Sequence, residues 1–109
     1  MIVKDILCEL DAQIVNEGDS FERDITGCYI GDLLSWVMAN ATDGDIWITI
    51  MSNVNVIAVA TLTDVSCVLM CEDVVPDDDC LLRAREQGIT ILKTPLTAYQ
   101  AAVKIGSML

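Results

Sequence analysis

The sequence has 109 residues, 53% of them hydrophobic and only 5% aromatic, so one aliphatic core without metal or disulfides is within reach. Acidic residues number 17 against 6 basic ones, and the net charge of −11 argues against nucleic acid or an anionic membrane surface as partner. Histidine is absent, which removes His-based acid–base and nucleophilic mechanisms and the commonest transition-metal ligand.

The pattern opens with an amphipathic helix over Ile2–Leu10, whose apolar stripe is Ile2, Ile6, Leu7 and Leu10. A short strand near Ala12–Val15 and an acidic surface loop over Asn16–Asp24 follow. An extended segment over Glu22–Thr26 then runs into Gly27, a break in regular structure. Asp32 is placed to cap a helix over Leu33–Asn40 with a stripe of Leu33, Leu34, Val37, Met38 and Ala41, and Gly44 supplies a stop.

Ile46–Met51 is apolar on both faces apart from Thr49, as a central strand of a parallel sheet requires. Val54–Thr63 reads as a buried helix, with Ser52, Asn53 and Asn55 offering caps. Ile46–Thr63 carries no charge, but its polar middle and acidic flanks argue for strand, turn and helix rather than a membrane span. Val65–Cys71 is a second apolar strand. Pro76 and Asp77–Asp79 start a helix running through Cys80–Gln87, the carboxylates complementing its dipole, and Gly88 ends it. Ile89–Lys93 is a strand, Thr94-Pro95 a turn, and Thr97 caps a last helix through Met108. Strands alternating with helices imply an α/β fold: a single small domain with a mainly parallel sheet flanked by helices.

The cysteines are Cys8, Cys28, Cys67, Cys71 and Cys80, with no C-x-x-C pair. An odd count without a secretory signal implies reduced thiols in the cytoplasm, scattered through the core rather than gathered on a metal. The carboxylates of Asp77–Asp79 point in different directions at a helix start, which suits capping better than a cation. No metal or other cofactor is expected. No hydroxyl or thiol has an obvious base, so no catalytic constellation is expected either.

The most informative stretch is Arg23-Asp24-Ile25-Thr26-Gly27-Cys28-Tyr29-Ile30-Gly31-Asp32-Leu33-Leu34-Ser35. A glycine turn before a helix start can hold an anion on backbone amides, or simply turn the chain under a cap. This stretch resembles the opening of the DRTGG domain family, Arg-x-x-Thr-Gly-Gly-Tyr-x-x-Asp-Leu-Leu-Ser, with Cys28 in place of the second glycine. The likeness extends through Val37–Ala41, Gly44–Ile50, Asn55–Ala60 and Thr94–Leu96. It implies a small α/β domain of the kind that accompanies CBS domains in pyrophosphatases, precedes phosphotransacetylase domains and is similar to the N-terminal domain of HPr kinase. There the chemistry belongs to neighbouring domains. The resemblance therefore implies a regulatory or assembly role, and this chain lacks the Gly-x-x-x-x-Gly-Lys-Ser/Thr loop that a kinase of that lineage needs.

In an open parallel sheet a ligand binds beyond the carboxyl ends of the strands. Thr26, Gly27, Ser52, Asn53, Asn55, Lys93 and Thr94 are expected there, and Tyr29 of the motif joins them as a candidate ligand contact. Two function classes follow. The first is a non-enzymatic regulatory module binding a small molecule, a nucleotide or another anionic metabolite, and acting as a homodimer. The second is an accessory subunit docking on a larger redox enzyme. Trp36 falls outside the apolar stripe of its helix, which marks it as an interface candidate.

Overall fold

The structure, a computed structural model, describes residues 1–109. Five strands form one sheet in the order β1-β5-β4-β3-β2. These are β1 (Gln13–Asn16), β2 (Gly27–Ile30), β3 (Asp45–Thr49), β4 (Cys67–Met70) and β5 (Ile91–Lys93). β2, β3, β4 and β5 run parallel, and β1 joins β5 antiparallel. The fold is α/β.

The central strands show why both faces need cover. Every residue of β3 is buried. Ile46 and Ile48 point into a core shared with Val3, Ile6, Leu10, Ala101 and Ile105, whereas Trp47 points into the opposite one with Val37, Val56, Ala60 and Ala84. A 3₁₀ turn, Val3–Asp5, with α1 (Ile6–Glu9) and α5 (Ala98–Met108) covers the first face. The second is covered by α2 (Leu34–Asn40), α3 (Asn55–Thr63) and α4 (Asp78–Gln87). α3 packs against both α2 and α4, so α2 stands outermost on the β2 side.

The uncharged run from Ile46 to Thr63 divides into β3, a polar turn and α3, and no helix is long and apolar enough to cross a membrane. Thr97 caps α5 as expected: its hydroxyl accepts from Gln100 N, and Gln100 Oε1 accepts from Thr97 N. α4 ends at Gly88, which adopts the left-handed conformation (φ +69°).

Other expectations are corrected. The first helix is shorter, and Val3 rather than Ile2 fills the core beside Ile6 and Leu10, because Ile2 bridges to Asp24. Gly27 does not break the chain; it opens β2, and Glu22–Thr26 is not a strand. Leu33 and Met38 are exposed, and only Val37 of the proposed stripe is fully buried. A seven-residue helix at the margin of a layer has one buried turn. Asp32 does not cap α2, whose N-cap is Leu33 without a side-chain bond. Ser52 and Asn55 do not cap α3; Val54 precedes it already in helical backbone, and Asn53 caps that turn, its Oδ1 accepting from Asn55 N at 2.9 Å.

Candidate functional site

The Arg23–Ser35 motif runs along β2 from one end of the sheet to the other, and it ties β2 to β3, to the residues flanking β3 and, through Arg23, to the end of α3. At the amino end, the Arg23 guanidinium bonds both carboxylate oxygens of Asp64, at 2.9 and 3.2 Å. Thr26 N donates to Gly44 O at 3.0 Å, and its hydroxyl donates to Asp43 O at 3.3 Å. Gly27 lies opposite Asp45, and a Cβ on it would fall 2.4 Å from that carboxylate. The Asp45 carboxylate is itself buried and accepts from Thr42 N at 2.8 Å. A side chain at position 27 would have to push the Asp45 carboxylate off its bond with Thr42 N. Gly44 meets the same limit: its φ is +86°, and a Cβ there would collide with Thr26 Oγ1.

At the carboxyl end, Asp32 Oδ1 accepts from Thr49 Oγ1 at 2.7 Å and from Ile50 N at 2.8 Å. The carboxylate thus satisfies β3 just where the strand ends, which is why it is absent from the helix start. Between the two ends, Tyr29 turns into the α2–α4 core, and Gly31 O accepts from Trp47 Nε1 at 2.9 Å. The residues that carry the motif are bonded within the fold.

Thr26 and Gly27 therefore sit at the amino end of the sheet, away from the crevice in which they were expected. Ser52, Asn53, Asn55, Lys93 and Thr94 follow the carboxyl ends of β3 and β5 and do share that edge. Ser52 O accepts from Asp77 N at 2.9 Å, and Asn53 Oδ1 accepts from Asn55 N at 2.9 Å. Thr94 is buried and gives its hydroxyl hydrogen to Leu10 O.

Sequence reasoning missed the turn after β4. Glu72 and Asp73, neither of them glycine, both hold left-handed backbone, with φ +57° and +58°. Two such residues in succession store strain of about 1–3 kcal/mol each. Glu72 N donates to Leu96 O and Asp73 N to Thr94 O, both at 2.9 Å, while Lys93 Nζ stands 3.8 Å from Asp73. Glutamate gives no hint of this geometry and aspartate only a weak one; docking the turn on the Thr94–Leu96 segment imposes it.

The edge is acidic. Asp32, Glu72, Asp73 and Asp77 surround it, and Lys93 is its one ammonium group. Beneath it lies Cys71, fully buried, whose thiol is pushed up to about 11 by burial and then by Glu72, Asp32 and Cys28. Burial raises Cys67 to about 12 against a hydrogen bond from Ser66, with Cys28 raising it further. Cys28 rises to about 11 through burial and Asp45, and Cys80 to about 11 through burial and Asp77. Thiols that hold their protons at neutral pH are poor nucleophiles and poor metal ligands. No three acidic or thiol side chains converge as a cation site would need.

Two open grooves flank Arg83 between α3 and α4. One, about 230 Å³, is lined by Val54, Asp79, Leu82 and Glu86; the other, about 250 Å³, by Ile57, Ala58, Thr61, Leu62 and Gln87. The guanidinium between them is engaged by Glu86 at 3.3 Å.

Comparison with known proteins bears on this geometry. The DRTGG domain model matches residues 5–108. Among solved structures, the CBS and DRTGG domains of the regulatory region of Clostridium perfringens pyrophosphatase, complexed with the activator diadenosine tetraphosphate, align with a TM-score of 0.75 at 18% identity. The alignment covers 95% of this chain and 45% of that one. No curated protein matches.

Proposed function

The chain belongs to the DRTGG domain family, and from that premise we propose that it is a non-catalytic regulatory module that binds a small ligand at the carboxyl edge of its sheet and acts as a homodimer in the cytoplasm. The observation that carries this reading is the shared carboxyl edge: Ser52, Asn53 and Asn55 follow β3, Lys93 ends β5, and the strand between them, β4, leads into the strained Glu72–Asp73 turn, 3.8 Å from Lys93 Nζ at Asp73. Strained backbone persists where the surrounding structure enforces it, and such positions cluster at ligand clamps and switches. A ligand that relaxes or tightens that turn changes the β4–β5 edge and the α4 start together, because Asp77 is tied to Ser52 and Asp73 to Thr94.

The ligand class is a nucleotide, which the solved regulatory region of the pyrophosphatase with its dinucleotide activator supports. The four carboxylates at the edge repel bare phosphates, so a polyphosphate enters here as its Mg²⁺ complex. Ser52, Asn53 and Asn55 supply neutral hydrogen-bonding groups, and Lys93 supplies the charge that meets a phosphate. Thr26, Gly27 and Tyr29 take no part in this site and serve the sheet instead.

Thermal shift with adenine mono-, di- and dinucleoside polyphosphates, each with and without Mg²⁺, tests the reading. A ligand at a hundred times its dissociation constant adds about 2.7 kcal/mol to stability, and Lys93→Ala should abolish that gain. No shift with any of these ligands would remove the nucleotide. The accessory-subunit reading would then be preferred, with one stable large partner recovered by affinity purification as its mark.

A further inference from the structure

We infer that the β2 side of the molecule is a self-association surface, on which a second copy of this chain docks through an antiparallel β2–β2 contact flanked by α2 and α5; the inference deepens the homodimer of the proposed function, on which it rests.

β2 is the terminal strand of the sheet; Met1–Val3 pairs with Arg23–Ile25 ahead of it, but the outer edge of Gly27–Ile30 pairs with no other strand. It contains no proline, lysine or acid, the devices that ordinarily keep an edge from pairing. Its Cys28 and Ile30 are exposed, Ile30 by 48%. Four residues of strand pairing bury too little by themselves, since a stable interface needs about 800 Å² per partner. The neighbouring helices of both layers supply the rest. α2, outermost on this side, presents a 64% exposed Trp36, with its exposed N-cap residue Leu33 three residues before it. α5 packs on β2 and β3 and exposes Tyr99 and Val103, one turn apart.

Charge selects the occupant. None of the 17 acidic residues lies in β2, α2 or α5, and the exposed Asp24 and Asp32 stand just outside the two ends of β2. Two copies that each carry −11 repel wherever their acids meet, so they approach over these three elements against fewer carboxylates than over β1, which Asp11, Glu17 and Asp19 flank. A basic partner would be drawn instead to the acids flanking β1. Identical strands that pair antiparallel also satisfy a two-fold axis, the symmetry that closes a dimer.

Sedimentation of the full chain at micromolar concentration tests the inference, with Ile30→Lys, Trp36→Lys and, as control, Ile14→Lys on β1. The native chain should be a dimer. Ile30→Lys and Trp36→Lys should each weaken it at least about thirtyfold, the effect of losing one hot-spot side chain, with unchanged far-ultraviolet circular dichroism, while Ile14→Lys stays dimeric. If Ile30→Lys fails to fold, Trp36→Lys and Tyr99→Lys carry the same test. A monomeric native chain, or a dimer that survives the β2 and α2 changes, overturns the inference. Thermal shift on the monomeric variants separates this from the regulatory reading, because the carboxyl edge is intact in them and should still respond to nucleotide.

Discussion

The two edges of the sheet are built in opposite ways. β1 runs antiparallel to β5 with a register shift between Ile14 and Asn16, and it is closed by side chains: Asn16 Nδ2 donates to Ile89 O at 2.7 Å, and Thr90 Oγ1 donates to Glu17 O. Asp11, Glu17 and Asp19 crowd around it. β2 runs parallel and in regular register, its polar bonds all turned inward onto β3, with no charge on the strand. A bulge and like charges keep β1 from pairing. β2 is covered only on its approach, where Met1–Val3 pairs with Arg23–Ile25, and Gly27–Ile30 itself has no such guard. An edge strand is neither protected nor sticky by position alone; its neighbours decide.

That contrast can be broken at the β1 side first. Gly18 has φ +63°, and a Cβ there would lie 2.6 Å from both Gly88 O and Thr90 N, which are backbone atoms and cannot step aside. Gly18→Ala should cost at least about 2 kcal/mol in urea denaturation, through backbone strain and clash together. On the β2 side the equivalent weak point is Asp32. Asp32→Ala leaves the Thr49 hydroxyl and Ile50 N without their acceptor, for an expected loss of about 1–3 kcal/mol by the same assay.

Alkali sharpens the comparison, because Cys28 and Cys67 belong to the β2 and β4 strands and β1 holds no cysteine. Both thiols are raised in the folded state, so the folded protein holds protons that the unfolded chain has released. Their contribution is complete below pH 9 and is lost as pH climbs toward about 11 for Cys28 and about 12 for Cys67. Stability should therefore fall between pH 9 and the onset of chemical damage. Cys67→Val should flatten that fall while leaving the acid limb alone; an identical slope in the variant would put its cause elsewhere. The smallest effect is expected at Arg23. Its partner Asp64 is well exposed, so Arg23→Ala should cost only about 0.5–1 kcal/mol despite the two-point contact, and less in high salt.

Much of the fold was legible. The apolar runs around Ile46 and Val65 are short and rich in branched residues, as strands covered on both faces are, and Pro76, Gly88 and Thr97 bound their helices by local chemistry that tertiary structure leaves intact. Less was legible at the margins. Gly27 and Asp32 have strong local meanings, a break and a cap, and the sheet overrode both: Gly27 makes room for Asp45, and Asp32 serves the end of β3. Both contacts cross about 18 residues of chain, which spacing does not reveal. The split of the candidate site has the same origin. The extended run reads as ending at Thr26, whereas the strand begins at Gly27, and that shift moves Thr26 and Gly27 to the opposite end of the sheet. The Glu72–Asp73 turn was hidden because glutamate has no leaning toward left-handed backbone and the enrichment of aspartate there is too weak a signal by itself.

Amide hydrogen exchange at two protein concentrations compares the edges directly. Well below and well above the dimer's dissociation constant, the β2 amides should differ in protection, slow in the concentrated sample and fast in the dilute one, while those of β1 exchange alike in both. Equal exchange of β2 at both concentrations, or concentration dependence confined to β1, would contradict the account.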